Sequence, residues 1–423
     1  MKRQVAERRE SLVIDESELL ADLYRDLHTH PELGFQETRT AGIVADRLRA
    51  LGYETTIGIG GTGVVGVLRN GAGATALLRA DMDALPVAEA TGLAYASTAR
   101  GTDRDGHDVP LMHACGHDMH VTCLLGAAAE LAADRSTWAG TLMVLFQPAE
   151  EIGKGAVAMI EDGVFDRVGR PDIVLGQHVS PLPAGVIGLC PGPAFAAADS
   201  LRVTLHGEGA HGSRPEVSID PVVMAAATVM RLQTIVSREI AGSDTAVVTV
   251  GAMRAGAKEN IIPAEAELLL SVRSYSPDVR SRVLAAIERI VRGEAAASGA
   301  TKDPEVTLME SFPAVVNDLA ASAKTQAAFE SVLGAQRIIN PGPVTGSEDV
   351  GMLASAAGVP CVYWLLGGAD PAAFAAATGV EDVVRIVAQQ PSNHSPRFAP
   401  VIEPTITTGV TALVTAARTW LPV

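Results

Sequence analysis

The nine residues Met112 to His120, MHACGHDMH, gather His113, Cys115, His117, Asp118 and His120 ahead of an apolar stretch. Thiolate and imidazole are ligands that borderline divalent metals such as zinc accept. Cys115 and His117 are two residues apart, so an extended loop would point both the same way. For any one of these residues, a loop that merely caps the following helix is the alternative; the density of the cluster favours a metal site. Neither an HExxH nor a paired CxxC pattern occurs, which excludes the common zincin and structural-zinc arrangements. Glu150-Glu151 is the second informative pair. Adjacent carboxylates on a turn can divide their work, one ligating a cation and the other serving as a base, whereas a solvated acidic turn is the bland reading.

These residues share a position relative to the predicted elements. Apolar runs at Ala76–Leu78, Leu142–Phe146 and Ile173–Leu175 read as strands. They are followed respectively by Asp81 and Asp83, by Glu150 and Glu151, and by Gly176-Gln177-His178. In open α/β sheets ligands bind beyond the carboxyl ends of the strands, so carboxylates and an imidazole are expected on one rim. Helical patterns at Glu18–Leu27, Thr38–Leu51, Val121–Ala132 and Gly155–Asp162 alternate with the strands, which predicts a doubly wound, mostly parallel sheet. From Leu201 the order becomes strand, helix Pro221–Glu239, two strands, helix Pro277–Ala297, strand, the ferredoxin-like split unit. The expected organisation is therefore an α/β domain over 1–195 and 312–423, interrupted by an α+β domain over 196–311.

Elsewhere single histidines carry less. His211 sits in the glycine-flanked loop GEGAHGSRPE of the inserted unit and His394 in SNHSPRF; either could be a loop residue. His28 and His30 are expected to fix the turn after the first helix, and His107 to be solvated.

Composition narrows the class. The chain has 423 residues, 48% hydrophobic, with 33 basic against 49 acidic side chains and a net charge of −16. An acidic chain of this kind has no broad electrostatic footprint for nucleic acid or an anionic membrane. The opening MKRQVAERRESLVIDESELL has no apolar signal region and no run reaches membrane-spanning length, so a soluble protein is expected. Four cysteines (Cys115, Cys123, Cys190, Cys361) in so long a chain do not form a disulfide framework, which suits a reducing cytoplasm.

LRADMDALP, MHACGHD, LFQPAEEIGKGA, GQH, GEGAHGSRP, ENIIPAEAELLLSVRS, GSED and NHSP, in this order between about Leu27 and Phe398, resemble the aminoacylase, hippurate hydrolase and indole-acetyl-amino-acid hydrolase group of metal-dependent amidohydrolases. The resemblance implies a catalytic domain interrupted by a lid that also makes dimer contacts, giving a homodimer or higher homo-oligomer. It implies two divalent ions on Cys115, His117, Glu151, His178 and His394, with Cys115 bridging; zinc is favoured, while manganese, cobalt and nickel remain open. Glu150 becomes the general base for a metal-activated water, Asp83 an orienting residue behind the ligands, and His211 the stabiliser of the oxyanion. Asp81 stands where related peptidases carry a metal-binding His, so it is assigned no more than a supporting place. Asn260 and Arg273 are candidates for gripping the carboxylate of an N-acyl amino acid substrate. Two features depart from many relatives: Pro215-Glu216 where a His often follows the lid proline, and no aromatic after His178. The alternatives are a dipeptidase or carboxypeptidase using the same centre, a non-catalytic metal-binding protein, and a redox sensor built on Cys115.

Overall fold

The computed structural model describes residues 17–423 and divides into two compact units. The first runs to Gly192 and takes in Val316–Gly342 and Asp349–Val423; the second comprises Pro193–Val315 and Pro343–Glu348.

The first unit is organised by an eight-stranded sheet. From edge to edge its strands are Glu54–Ile59, Gly63–Asn70, Gly140–Gln147, Thr75–Asp81, Ile173–Pro183, Cys361–Ala369, Ile187–Gly188 and Ile338–Ile339. The four from Gly140–Gln147 to Cys361–Ala369 are mutually parallel, and Gly63–Asn70 and Ile187–Gly188 join them antiparallel on either side. Thr75–Asp81 and Gly140–Gln147 are buried almost throughout, which is why they read as continuous apolar runs rather than alternating ones. Leu124 and Leu131 of the helix His117–Ala133 and Leu413 and Ala417 of Thr405–Trp420 pack with Leu78, Val144, Leu175 and Trp364 in one core. A helix over residues 17–29 precedes Thr38–Ala50, which is followed by Gly52 at φ 83°, the left-handed conformation that ends a helix without strain at glycine.

The second unit carries a four-stranded antiparallel sheet in the order Ala246–Ala255, Glu265–Ser274, Ala197–His206, Glu305–Phe312. With helices Pro221–Thr234 and Pro277–Ala297 this is the ferredoxin-like arrangement. Glu265–Ser274 alternates buried with less buried residues, the period of a sheet covered on one face. Its Leu268 and Leu270 meet Met224 and Leu232 of one helix and Val283 and Ile287 of the other. Pro221 and Pro277 each open their helix at the position where a missing N–H costs nothing.

Three expectations are corrected. The first helix of this unit does not continue uniformly to Glu239; its last turn, Ile235–Glu239, widens to a π-helix. The segment Pro343–Glu348, expected in the larger domain, belongs to the second unit: Val344 exchanges backbone bonds with Ala194 and Ala196, and the Arg273 guanidinium donates to Thr345 O at 3.2 Å and Ser347 Oγ at 2.5 Å. The strand expected to stop at Leu175 runs on to Pro183, because Cys361–Ala369 pairs with it past Leu365↔His178. His178 therefore lies within a strand rather than beyond its end.

Candidate metal centre

The centre is built from ends of first-unit elements. Asp81 is the last residue of its strand and Asp83 follows two residues on. Gln147 closes the next strand, and Pro148-Ala149 turns the chain so that Glu150 and Glu151 come immediately after it. Cys115 and His117 are not joined by extended backbone as expected. His117 opens the helix His117–Ala133, and Gly116 at φ 81° is the hinge that brings the two side chains together. A Cβ on Gly116 would lie 2.4 Å from Val179 Cγ1, so both the turn and the packing require glycine there. His394, at φ 71°, is held by its N–H donating to Ala114 O at 2.8 Å.

All seven first-unit residues singled out from the sequence converge. Cys115, His117 and His178 each offer one donor atom, the three lying within 4.8 Å of one another, and so do Cys115, Glu151 and His394. Cys115 Sγ is 3.5 Å from His178 Nε2, and His394 Nε2 is 3.1 Å from Glu151 Oε2. His117 Nε2 lies 4.0 Å from Glu150 and 3.9 Å from Glu151. Asp83 sits behind them: its main-chain oxygen and Oδ1 are 2.8 and 3.2 Å from His117 Nδ1, and its Oδ2 accepts the Glu151 N–H at 3.0 Å. His178 Nδ1 is 2.8 Å from Val179 O, which turns Nε2 toward the thiol.

The electrostatics are those of a site short of positive charge. Burial, reinforced by Glu151, Glu150 and Asp81, pushes the Cys115 thiol well above its ordinary range. Burial opposes charge on His117, but Asp81, Asp83 and Glu151 raise it to about 10. Burial likewise raises Asp83. The bond from Glu151 raises His394, and Glu151 itself is drawn below its usual range by His394 and His117 against the effect of burial. His117 Nε2 and Glu151 Oε1 are buried with no hydrogen-bond partner among the described residues. Such atoms are costly unless something binds them. Orphaned imidazole and carboxylate atoms beside a thiol form a donor set that fits divalent cations of the zinc type.

The other members of the histidine cluster serve elsewhere. Asp118 binds His28 Nδ1 at 2.7 Å, and His28 Nε2 reaches Glu89 at 3.1 Å, so His28 is the structural residue the sequence suggested. The His113 ring is buried, neither of its nitrogens has a hydrogen-bond partner among the described residues, and burial lowers it to about 4. His120 takes a role the sequence reading did not give it: Nδ1 bonds Asp81 and Nε2 accepts the Val179 N–H at 2.8 Å. Asp81 is thereby engaged by His120 on one oxygen and by Arg79 at 2.7 Å on the other, 3.5 Å from His117 Nε2. Arg79 also meets Asp349 at 3.0 Å and Gln147 at 3.0 Å, a buried guanidinium between two carboxylates. Asn393 was missed as well. Its Nδ2 donates to Cys115 O and Val179 O, each at 3.1 Å, tying the segments that carry Cys115 and His394 to the strand that carries His178. Spacing hinted at His120, three residues after His117 on one helix face, and adjacency at Asn393.

The remaining three candidates belong to the second unit. His211 is exposed and pairs across a two-residue ladder with Ile261, next to Asn260, whose carbonyl accepts the Gly212 N–H at 2.8 Å. His211 Nδ1 is 2.7 Å from Ser213 Oγ. Arg273 lies on Glu265–Ser274, with Nη1 bonded to the Pro343–Glu348 segment.

Known proteins share this plan. The model of Peptidase family M20/M25/M40 matches residues 77–389. A "Thermostable carboxypeptidase 1" of Saccharolobus solfataricus is 37% identical over 354 residues, 82% of this chain and 85% of its own. A "Hippurate hydrolase" of Campylobacter jejuni is 40% identical over 330 residues, 77% of this chain and 82% of its own. The crystal structure of the Bacillus subtilis YXEP protein, described as a dinuclear metal binding peptidase, superimposes with a TM-score of 0.76 at 29% identity, covering 96% of this chain and 98% of that one.

Proposed function

The chain belongs to Peptidase family M20/M25/M40, and from that premise we propose that it hydrolyses the amide bond of N-acyl amino acids with two divalent ions. The observation that carries the reading is the pair of three-donor groups sharing Cys115, with Glu150 alongside. One ion would be held by Cys115, His117 and His178, the other by Cys115, Glu151 and His394, the thiolate serving both. Zinc suits this set best, with manganese, cobalt or nickel as substitutes.

When bound, such ions would lower the pKa of water toward about 7, so that a nucleophile would exist at neutral pH. Glu150 is proposed to take the proton from that water as its oxygen bonds to the amide carbon, and to return it to the amine as the C–N bond breaks. Asp83 keeps the His117 proton on Nδ1 and therefore leaves Nε2 as the ligating atom. For the second unit the motif resemblance supports His211 as the oxyanion donor and Asn260 and Arg273 as partners of the substrate carboxylate. It also supports a homodimer assembled through that unit. Four free cysteines support residence in the cytoplasm; among the described residues no helix is long and apolar enough to cross a membrane.

The carboxypeptidase reading is retained because a relative of that name matches 82% of the chain. Amine release from N-acetyl, N-benzoyl and long-chain N-acyl amino acids, measured beside dipeptides and blocked peptides, tests the proposal. Turnover confined to peptides would replace it with the carboxypeptidase reading.

A further inference from the structure

We infer that Glu37 is a positioning residue that holds the Ala149 turn, and through it the acid pair Glu150-Glu151, in working geometry. The inference rests on the function proposed above. Ala149 is buried and has φ 51°, one of three non-glycine residues in the left-handed region among the described residues. An L-residue stays there only where its surroundings over-determine it. Here they do so from both ends. The Ala149 N–H donates to Glu37 Oε1 at 2.8 Å, and two residues later the Glu151 N–H donates to Asp83 Oδ2 at 3.0 Å. Ala149 O accepts from Gly155 N at 3.0 Å, and Glu150 O from Gly153 N at 2.7 Å, which closes the turn on its far side.

Glu37 is fully buried, an expensive place for a carboxylate. Its position explains neither the burial nor the residue type by helix capping. It occupies the N-cap of Thr38–Ala50, yet its side chain makes no cap bond. Glu32 does that work instead, accepting the N–H groups of Arg39 at 2.9 Å and Thr40 at 2.8 Å. The Glu37 carboxylate turns away from its own helix to Ala149, with its second oxygen held by Thr62 Oγ1 at 2.5 Å. The same loop closes on the turn at Gly34, where a Cβ would lie 3.1 Å from Ala149 Cα. A residue distant in sequence thus selects the backbone state from which Glu150 and Glu151 emerge.

The test uses E37A, E37Q, A149G and the double variant E37A/A149G in the metal-replenished enzyme. Losing the acceptor in E37A is expected to lower kcat about 10- to 100-fold with KM little changed, the size of effect that a slightly misplaced catalytic group produces. E37Q keeps an amide oxygen for the Ala149 N–H and retains most of the activity. Glycine adopts positive φ without strain, so A149G is expected to restore much of what E37A loses. Amide hydrogen exchange over residues 149–155 supplies a readout free of turnover: faster in E37A, slowed again in the double variant. E37A with wild-type kcat and exchange overturns the inference. So does a loss in E37A that A149G leaves untouched, which would mark Glu37 as general packing. A wild-type enzyme inactive on every amide tested would instead sink the proposed function, and the exchange data would still decide the role of Glu37.

Discussion

The main-chain oxygen of Asp83 lies 2.8 Å from His117 Nδ1, and that one bond decides which face of the imidazole is available to the centre. With one proton held on Nδ1, Nε2 is the atom that faces a buried space shared with Glu150, Glu151 and Asp81, and it becomes a ligand once a cation displaces its proton. The Asp83 side chain adds a second constraint by holding the Glu151 N–H, so one residue sets the orientation of two candidate ligands.

Replacing Asp83 should therefore act through the metal. D83A is expected to weaken metal affinity about 10- to 100-fold, as loss of a partner behind a ligand commonly does. Titration of the stripped variant with zinc against a chelating indicator measures this. Unchanged affinity at both ions would contradict the assignment.

Cys115 belongs to both donor groups, so its removal should disturb both ions rather than one. C115A is expected to bind fewer than two ions per chain after dialysis, measured by elemental analysis. The cobalt-substituted wild type should show a sulfur-to-metal charge-transfer band that the variant lacks. A cobalt form without such a band would exclude the thiolate as a ligand.

Glu150 is separated from the ligands by its task. E150Q should keep the metal content of the wild type while kcat falls by at least about 100-fold, the scale of general acid–base catalysis. Full turnover in E150Q would remove Glu150 from the base role.

Away from the centre, His28 predicts a pH dependence of stability. Burial opposes its charge, but the bonds to Asp118 and Glu89 raise it from 6.5 to about 10. The folded state then holds a proton that the unfolded state has released, so its contribution is complete below pH 6.5 and is lost as pH rises through about 10. Chemical denaturation of the metal-free protein at pH 6, 8 and 10 should show falling stability, with a shallower fall in H28Q. Equal slopes would mean that His28 is neutral in the fold.

What the sequence made legible follows from chemistry that is local in the chain. Cys115, His117, Glu150 and Glu151 stand out because their types are dense and come next to apolar strands, and the alternation at Glu265–Ser274 marks a one-sided sheet. The supporting residues were not legible because their meaning lies in distant partners. Asn393 looks like a loop polar residue until its amide is seen on Cys115 O and Val179 O. Glu37 carries no local signal, and its meaning appears only with Ala149, in the left-handed region 112 residues away. The true end of the His178 strand depended on a pairing partner, Cys361–Ala369, close to the other end of the chain.

Amide hydrolysis is expected to run on a two-ion centre built around Cys115. This is tested most directly by adding metal back to the stripped protein and following amine release from an N-acyl amino acid against ions bound per chain. No turnover is expected without metal, and full activity only as the second ion binds. Turnover that survives complete stripping would contradict it.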